Sequence, residues 1–123
     1  MADLPAIFRR TVDALTPQPM VVAQLAHTGA ELMAVPEVVV IALGKAAPAM
    51  ARGAAQVLPG ARGLVVAAAN AEVPRNFELQ VGDHPLPGER SLAAGARALE
   101  LAREAKHGAL FLISGGALSL IHI

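Results

Sequence analysis

Continuous apolar runs alternate with segments of helical periodicity over the last two-thirds of the chain. The runs cover residues 38–43, 64–69 and 110–113, and none of them contains a charged side chain. Runs of this length are typical of strands that are covered on both faces. Residues 45–58 and 91–105 carry apolar side chains at helical spacing. Because strand–helix–strand crossovers are right-handed, this order predicts an α/β fold, an open parallel sheet with helices on both faces in a Rossmann-like three-layer arrangement.

The remaining segments predict two helices and a connection. Residues 2–15 have helical periodicity, with Asp3 placed to cap the helix and Pro17 placed to end it. Residues 20–34 form a weaker helical candidate. Residues 70–88 are polar, contain several prolines and lack periodicity, so we expect a long loop there.

Composition narrows the class of protein. The 123 residues suffice for one domain, and a hydrophobic content of 54% with 16% charged residues favours a folded chain. Ten basic residues balance ten acidic ones, so no net charge attracts nucleic acid, and nucleic-acid partners are not expected. No apolar run approaches the roughly 20 residues that span a bilayer, and no secretory signal is present. We therefore expect no membrane partner and a cytoplasmic location.

Candidate chemistry follows two of the predicted strands, where open α/β sheets bind their ligands. Gly44 and Lys45 follow the first strand, and Lys45 would start the next helix. A cation is mildly unfavourable there, which indicates an anionic ligand, although a solvent-facing lysine also fits. Ser114, Gly115 and Gly116 follow the last strand, where they could approach a phosphate closely or form a simple tight turn. Neither a P-loop nor a G-x-G-x-x-G fingerprint is present.

The predicted loop carries a third candidate, Asp83 and His84, followed by Pro85. Asp83 could orient the His84 imidazole or accept backbone N–H bonds in a turn. A loop histidine of this kind is more often structural than functional. The chain has no cysteine, which excludes disulfides and thiolate metal sites, and no metal-binding residues are predicted.

Taken together and in order, these segments resemble the N-terminal domain of the glycerate 2-kinase family, whose members carry a C-terminal MOFRL domain and are sometimes labelled hydroxypyruvate reductases. The matching segments are VVVIALGKAAPAMARGA, LPGARGLVV, VGDHPLPGERSLAAGARALELA and LFLISGGA. The resemblance implies phosphorylation of D-glycerate at its 2-hydroxyl to 2-phosphoglycerate, with ATP and Mg²⁺ as cofactors and with glycerate and a nucleotide as partners.

The resemblance also implies roles for individual residues. Lys45 corresponds to the lysine of the family's GKA motif and is expected to be catalytic, holding phosphate oxygens or the glycerate carboxylate. The expected substrate- and phosphate-binding residues are Gly44, Asp83, His84, Ser114, Gly115 and Gly116.

The end of the chain departs from the family pattern. Family members are much longer and close a second domain over the site. We therefore expect residues 1–117 to be a fragment of the N-terminal domain, with an incomplete sheet. Residues 118–123 match one reading frame of a transposon-end sequencing adapter, and we expect them to be an artefact. A missing C-terminal domain would be needed to complete the site, so we expect no turnover from the 123-residue chain alone.

Two alternatives remain open. One is an oxidoreductase acting on hydroxypyruvate, although the missing dinucleotide fingerprint argues against it. The other is a non-enzymatic module that binds phosphosugars, since glycine-rich strand ends also serve such domains.

Overall fold

A computed structural model describes residues 3–121 of the chain. It contains five helices and four strands within that range. In chain order they are α1 (Leu4–Ala14), α2 (Pro17–Met33), β1 (Val39–Leu43), α3 (Ala47–Val57), β2 (Arg62–Ala67), β3 (Phe77–Val81), α4 (Glu89–Glu104), β4 (Ala109–Ile113) and α5 (Ala117–Leu120).

The strands form one parallel sheet in the order β3-β2-β1-β4. Leu43, the last residue of β1, pairs with Val66 of β2 on one side and Ile113 of β4 on the other. The strands therefore reach the same edge of the sheet together. The predicted α/β fold with an open parallel sheet is confirmed.

Alternate residues of the central strands point to opposite faces of the sheet, and each face has its own core. Val40, Ala42 and Val65 pack on the side of α2 and α3. Val39 and Ile41 pack on the side of α4 and α5. All five residues of β1 are buried, because helices cover both faces of this strand. Small side chains on the helices let them approach the sheet closely; the buried ones are Ala47, Ala51, Ala54, Ala94 and Ala98.

The structure differs from the prediction at the starts of two helices and in one additional strand. Residues 70–88 are not wholly a loop, because β3 lies within them. β3 is five residues long and half-buried beyond Phe77, so it lacks the continuous apolar run that marks β1 and β2. α1 ends at Ala14, before Pro17 as predicted, but α2 begins at Pro17 and not at residue 20, since the first helical residue needs no N–H donor. α3 begins at Ala47, and Lys45 therefore precedes it.

The start of α1 agrees with the prediction. Asp3 caps α1 as predicted, because its carboxylate accepts a hydrogen bond from the Ala6 N–H at 3.3 Å.

At one edge of the sheet, β4 leaves Phe111 and Ile113 exposed to 47% and 65%. Within residues 3–121, every helix is too short or too polar to cross a membrane.

Candidate functional site

The loops that follow β1 and β4 are joined by backbone hydrogen bonds at the carboxyl edge of the sheet. The Ser114 N–H donates to the Leu43 carbonyl at 2.9 Å, and the Lys45 N–H donates to the Gly115 carbonyl at 2.8 Å. Two of the three predicted segments therefore form one structural unit, with Lys45 held beside the glycines of the second loop.

Ser114 caps α3 from the neighbouring loop. The N-cap residue of α3 is Ala46, which has no side chain able to cap the helix. The Ser114 hydroxyl instead accepts the N–H of Ala46 itself at 3.0 Å, one of the backbone N–H groups that the start of a helix leaves without an intrahelical partner. Within residues 3–121 this hydroxyl donates to no acceptor, so its proton can bond a ligand oxygen.

Gly44 is required for this arrangement. Its φ of +120° lies in the region that side chains rarely adopt. A Cβ on Gly44 would also overlap the Ser114 hydroxyl and would stand 2.7 Å from the Ser114 carbonyl oxygen. The glycine before Lys45 and the serine after β4 are thus fitted to each other.

The backbone N–H groups before α3 are already used by the protein. Those of Lys45 and Ala46 bond Gly115 and Ser114, and the Ala47 N–H donates to the Gly44 carbonyl at 3.1 Å. Pro48 has no N–H to offer. An anion at this edge would therefore depend on the Lys45 ammonium, the Ser114 hydroxyl and the exposed second loop more than on the helix terminus.

Lys45 and His84 meet over Gly116. A Cβ built on Gly116 would lie 3.2 Å from His84 Cε1 and 3.3 Å from Lys45 Cγ, and Gly116 has a φ of +86°. Both side chains are exposed. Lys45 forms no ion pair with any of residues 3–121. A cation and an imidazole thus stand side by side at a solvent-facing strand edge, which suits a small anionic ligand.

Asp83 lies behind this pair and caps α4. The N-cap residue of α4, Gly88, has no side chain to do so. The Asp83 carboxylate accepts the Arg90 N–H at 3.0 Å, the Ser91 N–H at 3.4 Å and the Arg90 Nε at 2.8 Å. The hydrogen bond from the Arg90 side chain is the main cause that lowers the pKa of Asp83 below its ordinary value.

Ser91 locks the backbone of the same loop. Its side chain is fully buried, and its hydroxyl accepts the Asp83 N–H at 2.9 Å and donates to the Asp83 carbonyl at 3.2 Å. The following peptide bond, between His84 and Pro85, is cis. Sequence analysis missed Arg90 and Ser91, because they cap through a residue seven or eight positions earlier and local capping rules do not reach that far.

The residues here do not form a magnesium site of their own. No cluster of three His, Asp or Glu side chains suited to a metal ion occurs in residues 3–121. Mg²⁺ in proteins is usually held by one or two carboxylates together with phosphates. Asp83 is the one predicted site residue with a carboxylate, and Arg90 and two backbone N–H groups already occupy it.

Comparison with known sequences assigns the family. A profile described as a domain of unknown function, DUF4147, matches residues 3–123. The chain belongs to the DUF4147 family. The match includes residues 118–121, and Leu120 is buried in the core beneath α4. The adapter origin of residues 118–123 stays a prediction.

Individual relatives point to glycerate kinases. D-glycerate 2-kinase of Thermotoga maritima is 37% identical over 92 residues, which are 70% of this chain and 22% of the relative. The crystal structure of glycerate kinase from the same organism is similar with a TM-score of 0.76 at 32% identity, over 94% of this chain and 28% of that one. The resemblance predicted from the sequence is confirmed.

A second solved structure agrees on the fold. The PH0495 protein of Pyrococcus horikoshii is similar with a TM-score of 0.75 at 25% identity, over 100% of this chain and 31% of that one. The chain thus spans between about a fifth and a third of the length of these relatives.

Proposed function

We propose that this chain is part of a longer protein, called the parent below, that transfers a phosphoryl group from ATP to the 2-hydroxyl of D-glycerate. The observation that carries the proposal is the position of Lys45, which is exposed at the carboxyl edge of the sheet and lies, like His84, next to Gly116. The similarity to glycerate kinases of Thermotoga maritima supports the choice of substrate.

The chemistry of phosphoryl transfer suits such a site, because catalysis there rests on positioning and charge neutralisation. Bound ATP would supply the phosphoryl group. Lys45 would hold phosphate oxygens or the glycerate carboxylate as a point charge. The Ser114 hydroxyl would donate a hydrogen bond to an oxygen of the same ligand.

Mg²⁺ is a cofactor for which residues 3–121 offer no cluster of ligands. The resemblance implies Mg²⁺, and its ligands would come from the bound phosphates and from the remainder of the parent. The proposed substrates are small water-soluble anions, with which the predicted cytoplasmic location is consistent.

The proposal is tested by assaying the purified parent for ADP formation with ATP and D-glycerate. Glycerol, which lacks the carboxylate, is the control substrate. We expect ADP release that depends on D-glycerate and not on glycerol. A parent that oxidises NADH with hydroxypyruvate and releases no ADP would be a reductase. A parent that binds phosphosugars and shows neither activity would be a binding module, and each of these results rejects the kinase.

A further inference from the structure

The N-termini of α3 and α4 are each hydrogen-bonded to a side chain from a loop at the carboxyl edge of the sheet. α3 and α4 both begin with an N-cap residue that cannot cap, Ala46 and Gly88. In each case a side chain from a residue just after a strand accepts N–H groups at the helix start. Ser114 after β4 accepts the N–H of Ala46, and Asp83 after β3 accepts those of Arg90 and Ser91 in the first turn of α4. Each of these interactions connects the end of a strand to the start of a helix beside the candidate site.

The cap on α4 fixes the residue next to it. Asp83 is held at its backbone N–H by Ser91 and at its carboxylate by Arg90 and Ser91. Gly88 makes room, since a Cβ there would stand 2.5 Å from Asp83 Oδ2. His84 follows Asp83 directly, so the hydrogen bonds of Asp83 restrict where the His84 backbone can lie.

The charge of Asp83 is also neutralised locally. A bare carboxylate close to an anion site would repel the ligand. Here Arg90 and two backbone N–H groups satisfy Asp83, which leaves the neighbouring Lys45 as a cation with no ion pair within residues 3–121. Occupied in this way, the carboxylate is poorly placed to bind either substrate or metal.

We infer that Asp83 is a positioning residue, which acts by capping α4 and thereby holding His84 beside Lys45 over Gly116. This inference rests on the proposed function for its kinetic test. It assigns Asp83 a role different from the ligand contact that the resemblance implies, and it makes Arg90 and Ser91 part of the same assembly.

The chain offers a matched control on the same helix. Glu78 of β3 accepts a hydrogen bond from Arg97 of α4, with the Arg97 Nε at 2.8 Å. This pair has the chemistry and length of the Asp83–Arg90 pair, but it joins the middle of α4 to the sheet. Glu78→Gln therefore removes an ion pair of α4 outside the loop of His84, and Arg97 keeps its second partner, Glu100, at 2.9 Å.

The test is a double-mutant cycle in the parent with Asp83→Asn and His84→Gln, measured as kcat/KM for D-glycerate. We expect each single variant to lose about tenfold, because small displacements of site groups are costly. Since Asp83 acts through His84, Asp83→Asn should cost little more in the His84→Gln background. Glu78→Gln should keep the parent's activity.

Two kinetic results would overturn the inference. Additive losses in the cycle would mean that Asp83 acts independently of His84, as a ligand or as a general structural residue. Wild-type activity in His84→Gln would remove the residue that Asp83 is inferred to position. If Asp83→Asn does not fold, Arg90→Gln replaces it in the cycle, with an expected loss of about threefold and the same non-additivity.

A second readout separates this inference from the proposed function. In ¹³C-histidine-labelled parent, the Cε1–H signal of His84, assigned by its loss in His84→Gln, should shift in Asp83→Asn and stay unchanged in Glu78→Gln. This result would support the positioning role even if the parent shows no glycerate kinase activity. An unmoved His84 signal in folded Asp83→Asn would overturn the inference whatever the parent phosphorylates.

Discussion

Gly44 is the residue whose replacement should be least tolerated at the candidate site. Its positive φ and the overlap of a Cβ with Ser114 both oppose a side chain. Gly44→Ala should therefore destabilise the parent by about 2 kcal/mol. Gly60→Ala is the control, because nothing lies within 4 Å of a Cβ there and its φ is not positive. Equal urea denaturation midpoints for the two variants would contradict the geometry described for Gly44.

Ser114 should contribute to stability as the cap of α3. Ser114→Ala leaves the Ala46 N–H without its acceptor and should lower the free energy of unfolding by about 1 kcal/mol. Thr28→Ala is a suitable comparison, because the Thr28 hydroxyl donates to the Gln24 carbonyl on the exposed surface of its own helix. The comparison is made by urea denaturation of the parent, and a Ser114→Ala midpoint no lower than that of Thr28→Ala would argue against the cap.

The sequence could predict these two residues but not how they interact. Gly44 and Ser114 each follow an apolar run, and parallel strands end at one edge, so their proximity was foreseeable. Their fit depends on the pairing of β1 with β4, strands about 70 residues apart. Asp83 was harder still, because no local rule links it to the Arg90 and Ser91 N–H groups that occupy its carboxylate.

At the scale of elements, the cap on α4 should make stability depend on pH. Arg90 and the α4 N–H groups lower the pKa of Asp83, so the folded state favours the charged carboxylate. This stabilisation is fully present above the ordinary aspartate pKa of about 4 and is lost as the pH falls through the lower folded value. The stability difference between wild type and Asp83→Asn should therefore shrink below about pH 4. A difference that stays constant from neutral to acid pH would exclude this linkage.

The edge strand β4 predicts the solution behaviour of the 123-residue chain. Phe111 and Ile113 are exposed on a strand whose outer side is unpaired among the described residues, and such edges promote association. Ile113→Lys should raise the soluble fraction of the chain, measured by light scattering and centrifugation. Ile41→Lys, on the fully buried central strand, should lower it. A soluble fraction that Ile113→Lys leaves unchanged would show that this edge does not drive association.

The elements differ in how well sequence reasoning predicted them. β1 and β2 are covered on both faces, and their continuous apolar runs made both strands predictable from the sequence. β3 is half-buried at the opposite edge from β4, so its residues Phe77–Val81 mix polar and apolar side chains like a loop. The start of α2 differs from the predicted residue 20, because Pro17 both follows α1 and begins α2.

At the scale of the whole molecule, the α/β fold and the family were predictable from a few segments in a fixed order. How the loops at the carboxyl edge interlock was not predictable, because their hydrogen bonds join residues far apart in the chain, such as Ala46 and Ser114. The proposed activity depends on one positive centre, Lys45, which lies close to Ser114 and His84.

The measurement that tests this claim most directly compares the chain's two lysines in the parent. Lys45→Ala should reduce kcat/KM for D-glycerate by about a hundredfold or more, because it would remove the charge that we propose holds phosphate oxygens or the glycerate carboxylate. Lys106→Ala changes an exposed turn after α4 and should leave turnover unchanged. Glycerate-dependent ADP release by Lys45→Ala at the wild-type rate would contradict the account.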